Sequence, residues 1–282
     1  MTARIGRALP GDTHGEPAKG KGILYSRTGI WVLRIGFLVG MIALFEWYVV
    51  TSGVSRALLA PPSAIAQSVW KLVIEDPIVI RALGDSLLAL SIGLTLVIVL
   101  GIPIGLAMGR SRKFENLLDP WVTVFYVMPS IAFIPLLVII VGFDFSLRIV
   151  LVVISGIFPM IINTMAGVKA VDPEYIDGGR AFTASEMQIM RTIIIPGTLP
   201  FIFAGLRIAF SSAWVGVILA EMTAVITGVG GLILVFANRF RTADLFVPIL
   251  AIMVVAVLIQ WSMAKLMIRL TPWHKDLREP EA

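Results

Sequence analysis

The sequence predicts an all-α membrane protein with about six transmembrane helices, and three observations carry that prediction. Hydrophobic residues make up 58% of the 282-residue chain, charged residues only 15%, and the mean hydropathy is +0.94. The apolar residues gather in long blocks with the charges squeezed between them. The lysines and arginines crowd into alternate connections. A soluble chain lies nearer half apolar and a quarter charged, so the excess points to lipid as the solvent. The pI of about 9.7 is not a nucleic-acid signature. The basic residues are not interleaved with stacking aromatics on a polar face. With no cysteine there is no disulfide framework or thiolate metal site. The only histidines, His14 and His274, lie in polar tails, which argues against a histidine-based metal or catalytic centre.

Residues 1–27 are rich in Gly, Pro and Lys/Arg without a hydrophobic period, and they read as a disordered cytoplasmic tail. Six apolar blocks follow: Ile30 to Val50, Leu83 to Met108, Leu118 to Gly142, Ile149 to Met165, Pro200 to Ala220 and Leu245 to Leu266. Each is long enough to cover ~30 Å of hydrocarbon at ~1.5 Å per residue. The first block, within a helix expected over 28–57, is too long for the core of a signal peptide. A shorter run, Val229 to Ala237, cannot cross and reads as a re-entrant or interfacial segment. Residues 271–282 form a second polar tail.

Charge sets the expected orientation. A cytoplasmic N-terminus puts Arg4, Arg7, Lys19, Lys21, Arg27, Arg110, Arg112, Lys113, Lys169, Arg180, Arg191, Arg269, Lys275 and Arg278 inside. It leaves Arg56, Lys71, Arg81, Arg148, Arg239 and Arg241 outside. Both termini are therefore expected in the cytoplasm. Trp31, Trp47, Trp121 and Trp273 sit near block ends, as interfacial aromatics do.

The connection between the fourth and fifth blocks, Ala170 to Leu199, is built as helices. Asp172 can cap a helix with Pro173 at its first position and Glu174 in its first turn. Thr183-Ala184-Ser185-Glu186 reads as a capping box that starts a second helix from Thr183. Met187, Met190 and Ile194 are expected on one face of it, and Pro196 is expected to end or kink it. Short helices ahead of a span suit either docking onto a soluble partner or lying on lipid headgroups.

This segment resembles the "EAA" loop of ABC importer permeases, a pattern of E-A-A, three residues, G, nine residues, I, one residue and L-P. Asp177-Gly178-Gly179 stands for E-A-A, Thr183 for the glycine, Ile193 for the isoleucine and Ile195-Pro196 for L-P. The spacing agrees at every step while the residue identities differ, and the glycine pair weakens or breaks a helix there. The resemblance runs over 58–270, with the loop at about 170–196. It includes LLAPPSAI, LLDPWVTVFYVMPSIAFIPLLVIIVGF, FPMIINTMAGV and PGTLPFIFAGLRIAFSSAWVGVILAEM, which are similar to the nitrate/sulfonate/taurine branch. It implies a type I importer (MetI-like) transmembrane domain. The ATPase-coupling residues would be Asp177, Gly178, Gly179, Arg180, Thr183, Ile193, Ile195 and Pro196. The implied partners are a second permease copy, a cytoplasmic ATP-binding subunit dimer and a periplasmic or lipid-anchored solute-binding protein. The implied solute is a small anion such as a sulfonate, taurine or nitrate. The chain has no G-x-x-x-x-G-K-[ST] loop, so ATP belongs to a partner and no cofactor is expected in this chain.

Several residues inside the blocks are candidates for the pathway. Pro129 and Pro135 interrupt the third block, either bending a helix beside the pathway or making a packing kink. Ser211, Ser212 and Trp214 occupy the middle of the fifth block, where serines either meet solute or bond their own helix. Glu46, Arg207 and Glu221 read as pathway groups or buried pairs, or as interfacial residues, with Glu221 a possible docking point for the binding protein. Gly101, Gly105 and Gly109 line one helical face for close packing, within the protomer or at a dimer seam. Asn163 and Thr164 suit helix–helix contacts, and Thr227 to Gly231 an irregular turn. An ion-coupled secondary transporter would show inverted repeats and midplane charges. An intramembrane enzyme would need a nucleophile with a base, or a metal cluster, at membrane depth. Neither pattern is visible in the sequence.

Overall fold

The computed structural model describes residues 27–55, 57–225 and 227–272. The expected tails at 1–26 and 273–282, with His14, Trp273 and His274, lie outside the described residues. Every regular element among the described residues is helical. The chain divides into two units, 1–53 and 54–282.

The first unit contains α1 (Arg27–Thr51), apolar nearly all round, with most of its large side chains uncovered by protein. A helix with no polar stripe has no soluble solution, and lipid is its natural surround.

The second unit opens with α2 (Pro62–Val69), which runs on through a π-helical turn at Trp70–Glu75. The sequence reading missed this helix. Its start is signalled by the paired prolines, Pro62 sitting at the first helical position where a missing N–H costs nothing. Next come α3 (Ile78–Arg110) and a third span that does not cross as one rod. That span is α4 (Arg112–Val127), a 3-10 turn (Ser130–Phe133) and α5 (Ile134–Val141), with an 89° bend at the break. The cause is local. Pro129 lacks an N–H and disfavours helical geometry in the residue before it, and Met128 accordingly has ψ 130°.

The remaining elements are α6 (Phe145–Lys169), α7 (Pro173–Ala181), α8 (Glu186–Ile189), α9 (Ile195–Ala220), α10 (Gly228–Asn238) and α11 (Thr242–Leu270). Among the described residues five helices are long and apolar enough to cross a membrane, or six if the bent pair counts as one span. The core is α6 packed against α3 on one side and α9 on the other. Glycines permit the approach. A methyl at Gly105 would lie 2.6 Å from Thr164 Cβ and 2.7 Å from the Ile161 carbonyl, and one at Gly101 would meet Met160. The glycine face therefore serves packing inside the protomer. Asn163 donates to its own helix, to Pro159 O at 2.8 Å, while Thr164 is buried against Gly105.

Of the two outcomes expected at Pro196, an end or a kink, the helix does not end there. α8, a π-helical turn (Met190–Ile194), α9 and a second π-helical turn (Glu221–Val225) run as one stretch of 39 residues, Glu186–Ala224. The π-helical turn ends just before Pro196, which sits in the first turn of the next α segment. Of the three side chains expected on one face, Met190 and Ile194 pack into one cluster while Met187 does not. Met187 is exposed, whereas Ile194 is buried with Ile189. At ~1.5 Å per residue this stretch spans about 58 Å, against ~30 Å of hydrocarbon.

Candidate functional site

The hairpin 170–196 is capped as the sequence predicts at its start and differently in its middle. Asp172 accepts from the Glu174 N–H at 2.9 Å and starts α7, which runs unbroken through Gly178 and Gly179. A methyl at Gly178 would meet nothing within 4 Å. One at Gly179 would come within 3.1 Å of Ile193 and 3.2 Å of Ile189, so α7 sits close on the following helix there.

Thr183 is not an N-cap. It lies at φ 57°, two residues past the end of α7 and directly after the C-cap Phe182. Its N–H donates to Arg180 O at 2.9 Å, and the Ala184 N–H donates to Gly179 O at 3.0 Å. That pair of bonds is a Schellman motif, whose left-handed position favours glycine. The glycine of the EAA pattern falls on this position, and a β-branched residue occupies it at a steric cost of ~1–2 kcal/mol. The capping box begins at Ser185: its hydroxyl accepts from the Gln188 N–H at 3.3 Å, and its own N–H donates to Gln188 Oε1 at 2.7 Å.

Ion pairs and a small core brace the hairpin. Glu186 accepts from Arg110, at the end of α3, and from Arg180 at 3.1 Å. Arg180 also meets Asp177 at 3.4 Å, and Lys169 of α6 meets Glu115 of α4 at 2.6 Å. Beneath them Val168, Ile189 and Ile194 are buried, with Leu106, Ile176 and Ile193 packed around them. Ile195 and Pro196 are half-buried at the hairpin's foot. Arg110 and Glu186 were not foreseen as partners, because nothing local marks a contact across 76 positions. Three large apolar side chains stay uncovered: Tyr175, Met187 and Phe182, the last 88% exposed at the tip. A cleft of about 520 Å³ opens between Ala170–Tyr175 and Thr192–Gly197.

The pathway candidates do not gather in one place. Pro129 and Ser212 line a common cleft of about 250 Å³ at the break in the third span, with Ser130, Ser155 and Phe158. Pro135 starts α5 and is exposed. Ser211 donates to Arg207 O at 3.1 Å and accepts from Gln260 of α11 at 3.0 Å; Arg207 itself is exposed. Trp214 is 5% exposed, stacks on Phe210 and belongs to the core, with its Nε1 unpartnered among the described residues.

Glu221 is fully buried and so offers no outer docking surface in this conformation. One carboxylate oxygen accepts from Ser86 Oγ at 2.7 Å and from Arg148 at 3.1 Å, and the other accepts from the Gly230 N–H at 3.0 Å. The Val229 N–H donates to Ser86 Oγ at 3.0 Å. A carboxylate thus caps α10, whose first N–H groups have no partner within the helix. Gly228 (φ 67°) lets the chain turn there, and any side chain on it would strike the Glu221 carboxylate. Arg148, expected in an outer loop, is instead 6% exposed. Sequence reasoning named Glu221, placed Arg148 in an outer loop and did not name Ser86; a lone arginine at the edge of an apolar block was the available signal.

Comparison with known proteins accords with this architecture. Residues 98–271 match the family "Binding-protein-dependent transport system inner membrane component". The chain is 30% identical over 251 residues to the taurine transport system permease protein TauC of Escherichia coli (strain K12), covering 87% of this chain and 91% of that one. It is 28% identical over 243 residues to the putative aliphatic sulfonates transport permease protein SsuC of Bacillus subtilis (strain 168), covering 86% and 88%. It is 30% identical over 193 residues to the nitrate import permease protein NrtB of Synechococcus elongatus, covering 65% and 69%. In fold it is similar to a chain of the MetNI methionine ABC transporter in an inward-facing conformation, with a TM-score of 0.61 at 18% identity over 69% of this chain and 96% of that one. The chain belongs to the binding-protein-dependent transport system inner membrane components, the permease subunits of ABC importers.

Proposed function

We propose that this permease forms, as a pair of copies, the translocation pathway for a small anion of the sulfonate, taurine or nitrate kind. An extracytoplasmic binding protein delivers the solute, and ATP is bound and hydrolysed by a separate cytoplasmic subunit dimer. Both termini face the cytoplasm. The hairpin 170–196 is the lever on which the ATP-binding subunits push, with Asp177 to Arg180 and Thr183 on its outer turn and Ile193, Ile195 and Pro196 at its foot. Nucleotide at one end and loaded binding protein at the other bias a two-state arrangement of the spans.

One observation carries the reading: a helical hairpin is joined without a break to a stretch too long for the hydrocarbon alone, and it bears an uncovered aromatic at its tip. Pushing on such a hairpin moves the span attached to it. The solute class rests on the names of the relatives. Co-purification tests the docking. Replacing Asp177 and Arg180 by alanine should weaken recovery of the ATP-binding subunit while membrane insertion persists. Unchanged recovery counts against this docking site.

A further inference from the structure

The cleft at the break of the third span continues into an apolar one of about 200 Å³ lined by Phe125, Phe133, Ile154 and Phe158, three of which also line the first. The two ends differ in chemistry. At the polar end Ser155 Oγ donates to Ser130 Oγ at 3.0 Å, which leaves the Ser130 hydroxyl proton free to point elsewhere, and Ser212 adds a third hydroxyl from α9. At the apolar end Phe125 and Phe158 stack with centroids 5.7 Å apart and planes at 15°. Stacked rings spend a face on one another and leave edges, the electropositive part of the ring, for a neighbour. Neither end is lined by a carboxylate or by a lysine or arginine. Neither a cation nor an anion would find a formal counter-charge there. An oxyanion would find hydroxyl donors that hold it without the strong Coulomb attraction that would stop it leaving.

We propose that the composite cleft is a solute-contact site within the permease itself, taking an organic anion with an apolar body. The oxyanion head lies on the hydroxyls of Ser130, Ser155 and Ser212, and the body lies against Phe125, Phe133 and Phe158. The inference rests on the importer reading and narrows it: the permease favours alkyl- or aryl-bearing anions over bare inorganic ones. Together the two ends reach the size of a small-ligand pocket, with an apolar lining and a few polar groups at one side.

The absence of native cysteine makes a direct test possible. In the complex of the permease with its ATP-binding subunits, Ser155→Cys should react with 2-sulfonatoethyl methanethiosulfonate. Added 1-hexanesulfonate should slow that reaction about tenfold, whereas nitrate or choline at the same concentration should not. Protection should strengthen along the series from ethanesulfonate to hexanesulfonate, by up to about fourfold per methylene that reaches the aromatic wall. Phe158→Ala, or the milder Phe158→Leu, should flatten that dependence. Absence of labelling, equal rates with and without hexanesulfonate, equal protection by nitrate, or an unchanged chain-length series in both Phe158 variants would each overturn the proposal. Labelling needs no ATP-driven uptake. Intact protection without uptake would therefore count against the importer reading and leave the site standing.

Discussion

Replacing Glu221 by alanine removes the acceptor for three donors from three elements: Ser86 of α3, Arg148 of α6 and the Gly230 N–H of α10. Two of these are hydrogen bonds to uncharged donors, each worth about 0.6 kcal/mol in a membrane protein. The larger part comes from Arg148. Its guanidinium is buried, its Nε already lacks a partner, and its other close contact is the Phe145 ring at 4.7 Å. Stranding such a charge costs about 3–5 kcal/mol. The expected loss is therefore about 4–6 kcal/mol, with the stranded arginine dominating. The double variant Glu221→Ala, Arg148→Met removes the stranded charge and should recover all but about 1–2 kcal/mol. Reversible unfolding in mixed micelles measures both, with the melting temperature in detergent as a second readout at about 2–4 °C per kcal/mol. A single variant within about 1 kcal/mol of the native protein, or a double variant worse than the single one, would refute the reasoning.

Thr183→Gly relieves the left-handed strain at the end of α7 and should stabilise the hairpin by about 0.5–1 kcal/mol after the entropy cost of glycine, read as slower proteolysis at the loop. Gly105→Leu drives a side chain into Thr164 and the Ile161 carbonyl. It should cost about 1–3 kcal/mol or more, measured by the same micelle unfolding. Reporter tags at the two ends should both signal from the cytoplasm, and a signal from the opposite side at either end would overturn the charge-based orientation.

The sequence disclosed what local physics controls. Five of the six long apolar blocks became helices of membrane-crossing length, Asp172 became a cap, and the glycines at Gly101 and Gly105 became a helix–helix contact. What stayed hidden depended on partners far along the chain or on small geometric choices. Glu221 was visible as an anomaly, but its three partners lie 135, 73 and 9 positions away, and only packing brings them together. Thr183 and Ser185 are equally good cap residues by type. The choice was made by where α7 ends, because the Schellman bonds claim Thr183 and leave Ser185 to start α8. Of the expected face of Met187, Met190 and Ile194, the last two pack together, and Met187, in the short α8 ahead of them, stays uncovered. The prolines of the third block announced a bend, but not that it would approach a right angle and gather Ser130, Ser155 and Ser212 around it.

The claim most in need of direct measurement is that the tip of the hairpin touches the ATP-binding subunit. The native chain has no cysteine, so Phe182→Cys places a single thiol at the most exposed aromatic among the described residues. Paired with single cysteines along the surface of the ATP-binding subunit that faces the membrane, it should form a disulfide-linked heterodimer under mild oxidation. The yield should change when ATP is added. A thiol at residue 182 that couples to no position on that subunit, or that is labelled only from the outer side of the membrane, would contradict the account.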